Sequence, residues 1–288
     1  MPSVDLSAGT IEYDDSGGDG PVVLLCGGLA IGRSLWNGVV ADLSDEMRCV
    51  VPALPWGAHR IPMRADADLT MLGQVAILGE FMDALDLREV TLVENDTAMS
   101  QVLCSGGNDR VARLVITSCE AFDNYPPGLP GKAISVAARI PGGIFLAMQP
   151  MRLRRLRRSP LGFGWMAKRP IPDEDVDRWV EPLLTQREIR RDLSKYVTKL
   201  DRGVLVRAAD GLRDFERPAL VVWASEDRVM PPEHGRRLAE LLPQGQLVEI
   251  DDSYTLIPLD QPQALAREIT DFIDRTPLSR PQSVVASG

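Results

Sequence analysis

Short, unbroken apolar runs recur along the chain, separated by stretches whose apolar positions return at helical spacing. Val22-Val23-Leu24-Leu25 is the clearest run, and it reads as a strand buried on both faces. Arg48–Val51, Val90–Val93, Arg113–Ile116, Ala219–Trp223 and Gln246–Ile250 read the same way. Gly9–Asp14 predicts an edge strand, closed by the turn-rich Ser16-Gly17-Gly18-Asp19-Gly20. Between these runs lie helical segments at Ser34–Leu43, Ala98–Leu103, Glu233–Leu242 and Gln263–Ile273. A further helix is predicted from the spacing of Leu72, Val75, Gly79, Met82 and Leu85. Strands alternating with helices imply a parallel sheet with right-handed crossovers.

The alternation stops between Tyr125 and about Asp214, where prolines punctuate mostly helical pieces and no strong strand is found. Asp173 can cap a helix running through Trp179 to Leu184. The expected organisation is a core over 1–124, a helical lid over 125–214, the rest of the core over 215–275, and a loose tail over 276–288.

The most informative stretch is Val90–Gly106. A β-branched run meets Glu94-Asn95-Asp96, and good helix formers follow at once from Ala98. Strand, tight turn and helix in that order lift one side chain clear of a parallel sheet. Here that side chain belongs to Asp96, which is either a reactive, ligand-facing carboxylate or a cap for the next helix.

Composition narrows the classes. Apolar residues make up 44% of 288, ordinary for a globular chain, and the net charge of −9 argues against a nucleic-acid binder. Cys26, Cys49, Cys104 and Cys119 have no metal-ligand spacing, so buried reduced thiols in a cytoplasmic protein are expected. No secretory signal is visible, and Ala133–Met148 is broken by Arg139 and Pro141-Gly142-Gly143, so no membrane span or membrane partner is expected. No cofactor and no metal are called for. A homodimer is left open.

These residues, in this order, resemble the α/β-hydrolase superfamily from Gly9 to Ile273. The resemblance implies an eight-stranded, mostly parallel sheet flanked by helices, with an inserted helical lid. Cys26-Gly27-Gly28 matches the His-Gly-x oxyanion loop, and Glu94-Asn95-Asp96-Thr97-Ala98 matches Gly-x-nucleophile-x-Gly. Ala224-Ser225-Glu226-Asp227 matches the segment supplying the triad acid, and Asp251–Pro262 the segment carrying the catalytic histidine, whose position here holds Thr255. An aspartate at the elbow is the pattern of the haloalkane dehalogenase and epoxide hydrolase branches. Its carboxylate attacks carbon to form an ester, which a histidine-activated water then hydrolyses. Asp96 with Thr255 therefore predicts a trapped ester, a substitute base, or chemistry without a covalent step.

Departures from the pattern bear on substrate. Thr97, not tryptophan, follows Asp96, and Gly28 stands where an asparagine is usual, which disfavours dehalogenation. Tyr196 is the only tyrosine well inside the lid, where epoxide hydrolases use two; Trp165, Trp179 or Tyr125 could supply the second donor. Glu94 and Ala98 replace the elbow glycines, so a relaxed turn is expected, and Glu94 could couple to Asp96 or simply be solvated.

The remaining candidates each have a bland alternative. Backbone N–H groups of Gly28 and Thr97 could form an oxyanion hole. Asp227 could orient a base or be an ordinary loop carboxylate. His59 is a candidate substitute base, against a loop histidine bonded to backbone. Trp165, Phe163 and Trp179 line a pocket or form the lid's own core. Met151–Arg158 is a solvated basic face or a guide for an anionic substrate. Three functional readings remain: an epoxide hydrolase-like enzyme with a non-standard base, a lyase, isomerase or cyclase using Asp96 as acid or base, and a catalytically silent binding protein.

Overall fold

The computed structural model describes residues 1–278. Its strands are β1 (Ser3–Leu6), β2 (Gly9–Asp15), β3 (Val22–Cys26), β4 (Arg48–Pro52), β5 (Val90–Asp96), β6 (Val111–Cys119), β7 (Ala219–Ala224) and β8 (Gly245–Ile250). They form one eight-stranded sheet in the order β1-β2-β4-β3-β5-β6-β7-β8. The first two strands pair antiparallel, β2 meets β4 antiparallel, and all later pairings are parallel. Every residue of β5 and β7 is buried, the polar Glu94, Asn95 and Asp96 at the end of β5 included, whereas edge strand β8 is largely open to solvent.

Between β3 and β6 lie α1 (Asn37–Leu43), α2 (Met71–Ala84) and α3 (Met99–Ser105). Six helices are inserted between β6 and β7: α4 (Gly128–Ala137), α5 (Gly143–Met148), α6 (Arg154–Arg157), α7 (Asp173–Thr185), α8 (Arg187–Val197) and α9 (Arg202–Gly211). After β7 come α10 (Pro232–Leu241), α11 (Ile257–Asp260) and α12 (Pro262–Arg275). Helix α1 packs on α12, while α2 packs on α3, which in turn meets α9. Among the described residues no helix is long and apolar enough to cross a membrane.

Three details depart from the reading of the sequence. Strand β1 was not foreseen: only four residues long, it pairs with β2 through a tight hairpin in which Leu6 faces Gly9. Helix α2 exists where expected and buries Met82 of the predicted stripe, with Val75 and Leu85 packed against the core, but it leaves Leu72 exposed and also buries Met71, Gln74, Ile77, Leu78 and Phe81. The buried face is wider than the predicted stripe. Thr276, placed in the loose tail, is tied down because Arg113 Nε donates to its carbonyl at 2.9 Å. The tail from 279 onward lies outside the described residues.

All four cysteines are buried and free, in β3, β4, α3 and β6.

Candidate active site

The turn from β5 into α3 holds Asp96 at φ 76°, a left-handed conformation that a non-glycine residue adopts only at a cost. Loss of the two flanking glycines has therefore not relaxed it, contrary to expectation. Glu94 shows why. Its buried carboxylate accepts from the Met99 and Ser100 backbone N–H groups at 2.9 and 2.6 Å, and from the Thr97 hydroxyl at 2.7 Å. It thus satisfies the first turn of α3, whose own cap residue, Ala98, supplies no side-chain bond. Glu94 is neither solvated nor in the cavity beside Asp96. Burial pushes its carboxyl up to about 7 despite these bonds.

Asp96 itself lies almost fully buried at the floor of a 600 Å³ cavity. One carboxylate oxygen, Oδ2, accepts from the Leu29 backbone N–H at 2.9 Å. The amide that meets it is therefore that of Leu29, not of Gly28. Gly28 contributes by lacking a side chain, since a Cβ there would sit 2.0 Å from Asp96 Oδ2. Thr97 is likewise turned to Glu94 and is not among the cavity-lining residues. Burial raises the Asp96 carboxyl to about 7, with the charge of Asp227 adding to the rise and the Leu29 N–H opposing it.

A second carboxyl shares the cavity. Glu120 follows β6 directly, its backbone N–H donating to the Asp96 carbonyl at 3.0 Å. Burial first, then the charges of Asp96 and Glu94, drive its carboxyl well above the usual range, and its Oε2 has no hydrogen-bond partner. Both carboxyls are thus raised, Asp96 to about 7 and Glu120 well above its usual range. Sequence reasoning passed over Glu120. The available signal was its place one residue beyond a parallel strand that neighbours the elbow strand, which puts it on the same sheet rim.

The rest of the cavity wall is overwhelmingly apolar and comes mainly from the insert, including Ile134, Met148, Leu156, Phe163 and Leu183. Tyr196 joins it. The Tyr125 hydroxyl donates to the Tyr196 hydroxyl at 3.1 Å, which leaves the Tyr196 proton free for another acceptor. Burial pushes both phenols well above their ordinary range. Tyr125, weighed as a second donor, is bonded to Tyr196 and does not line the cavity.

The other predicted residues lie elsewhere. Asp227 Oδ1 accepts from the Val229 and Met230 N–H groups at 2.9 and 2.8 Å and from the Thr255 hydroxyl at 2.8 Å. Burial raises this carboxyl to about 6. Neither Asp227 nor Thr255 lines the Asp96 cavity. His59 is buried on the far side of the Gly27–Gly32 loop, in a separate 340 Å³ chamber, where its Nε2 lies 3.3 Å from Asp192 of α8. Trp179 lines that second chamber and donates to Ser34 Oγ at 2.8 Å. Trp165 packs, half-buried, against the apolar core and is not a wall residue of the Asp96 cavity. His234 lies edge-on to Phe122, also outside it. Neither histidine of the chain therefore reaches the Asp96 cavity. Among the described residues no group of three or more His, Cys, Asp or Glu is arranged to hold a metal ion.

Residues 21–262 match the family model described as alpha/beta hydrolase fold. The chain belongs to the α/β-hydrolase family. Among curated members, it is 26% identical to a cis-3-alkyl-4-alkyloxetan-2-one decarboxylase of Xanthomonas campestris pv. campestris, over 93% of each chain. It is also 26% identical to haloalkane dehalogenase 2 of Mycobacterium tuberculosis, over 93% of this chain and 92% of the other. Among solved structures, a haloalkane dehalogenase of Bradyrhizobium elkani superposes with a TM-score of 0.76 at 18% identity, covering 95% of this chain and 96% of that one.

Proposed function

We propose that this α/β-hydrolase family member opens a small strained ring carrying apolar substituents, an epoxide or a chemically similar ring, with Asp96 as nucleophile. The supporting observation is the pairing in one cavity: Asp96 and Glu120 both line it, joined by the Glu120 N–H on the Asp96 carbonyl, with burial raising Asp96 to about 7 and Glu120 well above its usual range. Two carboxyls with separated protonation states are what acid-assisted nucleophilic attack needs. The helical insert serves as the lid that supplies the apolar wall.

Asp96 Oδ1 attacks a ring carbon, the ring C–O bond breaks, and the alkoxide takes a proton from Glu120, with Tyr196 donating a hydrogen bond. The product is a hydroxyalkyl ester of Asp96. Its carbonyl oxygen is then Oδ2, already held by the Leu29 N–H, which stabilises negative charge there. Glu120, now ionised, takes a proton from water, and hydroxide adds to the ester carbonyl. Collapse expels the alkoxide, which takes the proton of the newly formed acid. Asp96 ends ionised, Glu120 protonated, and ring plus water have become a diol. One group acting first as acid and then as base replaces the imidazole. His59 and Asp227 have no step in this scheme, and Thr255 serves only Asp227.

A second reading has support of its own. The Xanthomonas relative is named for decarboxylating a dialkyl oxetanone. Loss of CO₂ from such a ring breaks one C–C and one C–O bond and leaves an alkene, with no water and no net proton consumed. A site that no imidazole reaches suits that balance.

Incubation in heavy-oxygen water with apolar 1,2-epoxides and cis-3,4-dialkyl oxetanones separates the two. Diol formation with label entering Asp96 over repeated turnovers supports ring hydrolysis. Alkene and CO₂ without label support the second reading. Turnover that persists undiminished in Asp96→Asn overturns both.

A further inference from the structure

The outer surface of the insert differs from the rest of the molecule in both charge and polarity. From Asn124 to Pro172 the chain has nine lysines and arginines and not one Asp or Glu, so the remainder carries −18 against −9 for the whole. Arg154 and Arg157 are consumed by Asp173, and Lys168 and Arg169 by Asp252. Lys132, Arg139, Arg152, Arg155 and Arg158 have no carboxylate partner among the described residues.

The same surface is apolar between its cations. Seven of the twelve exposed large apolar side chains among the described residues lie between 129 and 161. On α4 the solvent side carries Leu129 and Val136, with Lys132 beside them, and exposed Arg139 and Ile140 follow in the turn after the helix. On α5 Phe145 and Leu146 are exposed beside it, and α4 packs on α5. The acids of α7 (Asp173, Asp177 and Glu181) border only the Arg152–Arg158 side of this surface. An outward apolar stripe flanked by cations is the pattern of a helix that lies in a lipid interface.

The cavity opens on this face. Ala133, Ala147, Pro150 and Leu161 are all exposed and all line the Asp96 cavity. A substrate with apolar arms, dissolved in a lipid layer, would enter without crossing water.

We propose that the outer face of the insert docks reversibly on an anionic lipid surface, with the mouth of the Asp96 cavity turned toward it. Charge complementarity selects the occupant, since five unpaired cations favour a negative surface, and the apolar stripe between them favours a lipid layer over an acidic protein. This revises the expectation of no membrane partner: the contact is peripheral, and no helix spans. It does not rest on the chemistry assigned to Asp96.

Flotation of the full chain with vesicles tests it. The chain should float with phosphatidylcholine vesicles containing phosphatidylserine, not with phosphatidylcholine alone, and should be released by high salt. Val136→Asp with Leu146→Asp, and separately Arg155→Glu with Arg158→Glu, should each lower partitioning by about tenfold or more. Leu72→Asp, equally exposed but on α2, should change nothing. No flotation at low salt overturns the proposal. So does binding untouched by the apolar pair, which would mean charge alone. A stable dimer that the apolar pair splits would assign the face to a second copy instead, and also overturns it. Asp96→Asn should float like the parent, so failure of the chemical reading and failure of this one are distinguishable.

Discussion

The sheet has two rims where a carboxylate waits beyond a strand, and they are built to opposite ends. At the β5/β6 rim, Asp96 has one backbone donor and Glu120 has a carboxylate oxygen with none, and both face a cavity. At the β7/β8 rim, Asp227 Oδ1 is met by two amides and the Thr255 hydroxyl, its Oδ2 has no partner, and neither residue faces that cavity. Both rims thus keep a buried carboxylate oxygen short of partners at a cost, and what separates them is the cavity. The contrast supports the proposal that reaction belongs to the first rim and loop architecture to the second. Thr255, where relatives of this pattern place an imidazole, fits the second rim as a bolt between its loop and Asp227.

Asp96→Asn breaks the first rim most severely. Turnover should fall by about 10³-fold or more, because the amide cannot attack carbon. The same variant should be more stable than the parent at pH 8, by on the order of 2 kcal/mol, because it removes a buried ionised group. A chemical-denaturation curve beside a rate assay measures both. Loss of activity with loss of stability would mean that Asp96 is a structural residue.

Glu120→Gln should cost about 10²-fold, the usual scale for one proton-transfer group. Its pH profile is the sharper readout. In the parent, rate should rise through about pH 7 as Asp96 ionises and fall only at higher pH as Glu120 loses its proton, since its carboxyl lies well above the usual range. The glutamine variant should keep the rising limb and lose the falling one. Retention of both limbs would remove Glu120 from the reaction.

How much of this contrast could be read in the sequence depends on distance along the chain. Asp96 was legible because its setting is local: a β-branched strand, a polar turn and a helix within one short stretch. Asp227 and Thr255 were each placed by motif, but no partner was evident for Asp227; the bond between them spans loops after the adjacent strands β7 and β8. Glu120 was hidden because its significance comes from β6 lying beside β5, a fact of sheet order and not of motif. His59 is bonded to backbone, as its loop reading expected, with the Gly57 N–H donating to its Nδ1 at 3.3 Å. Its second contact, to Asp192, 133 residues later on α8, is one that nothing near His59 announces. The tryptophans illustrate the limit for side-chain direction. Trp179 was correctly put on a helix, yet that helix turns it toward Ser34 and Gly32 and away from Asp96.

Folding stability should record the difference in a pH titration. Glu94 and Asp96 are raised to about 7 and Asp227 to about 6, all by burial. Between the unfolded values near 4 and these folded values, the folded chain holds more protons than the unfolded one. Stability therefore declines as pH rises through that window, and Glu120, raised well above its usual range, carries the decline on beyond it. The Tm should be several degrees higher at pH 5 than at pH 8, and Asp96→Asn should flatten the slope. A Tm that rises over the same interval would contradict burial of these groups.

The smallest effect should come from the position that looked most consequential. Thr255→Val keeps shape and removes one hydroxyl donor from Asp227 Oδ1, which retains the Val229 and Met230 amides. The expected cost is about 1 kcal/mol of stability, the scale of one buried hydrogen bond. Turnover should change less than about threefold, because a proton-transfer group would cost far more. Thr255→Ser, which restores the donor, should recover most of the stability. A hundredfold loss in Thr255→Val that Thr255→Ser repairs would place the hydroxyl in the reaction. The division of labour between the two rims would then fail at its second half, while the Asp96 and Glu120 tests would still stand.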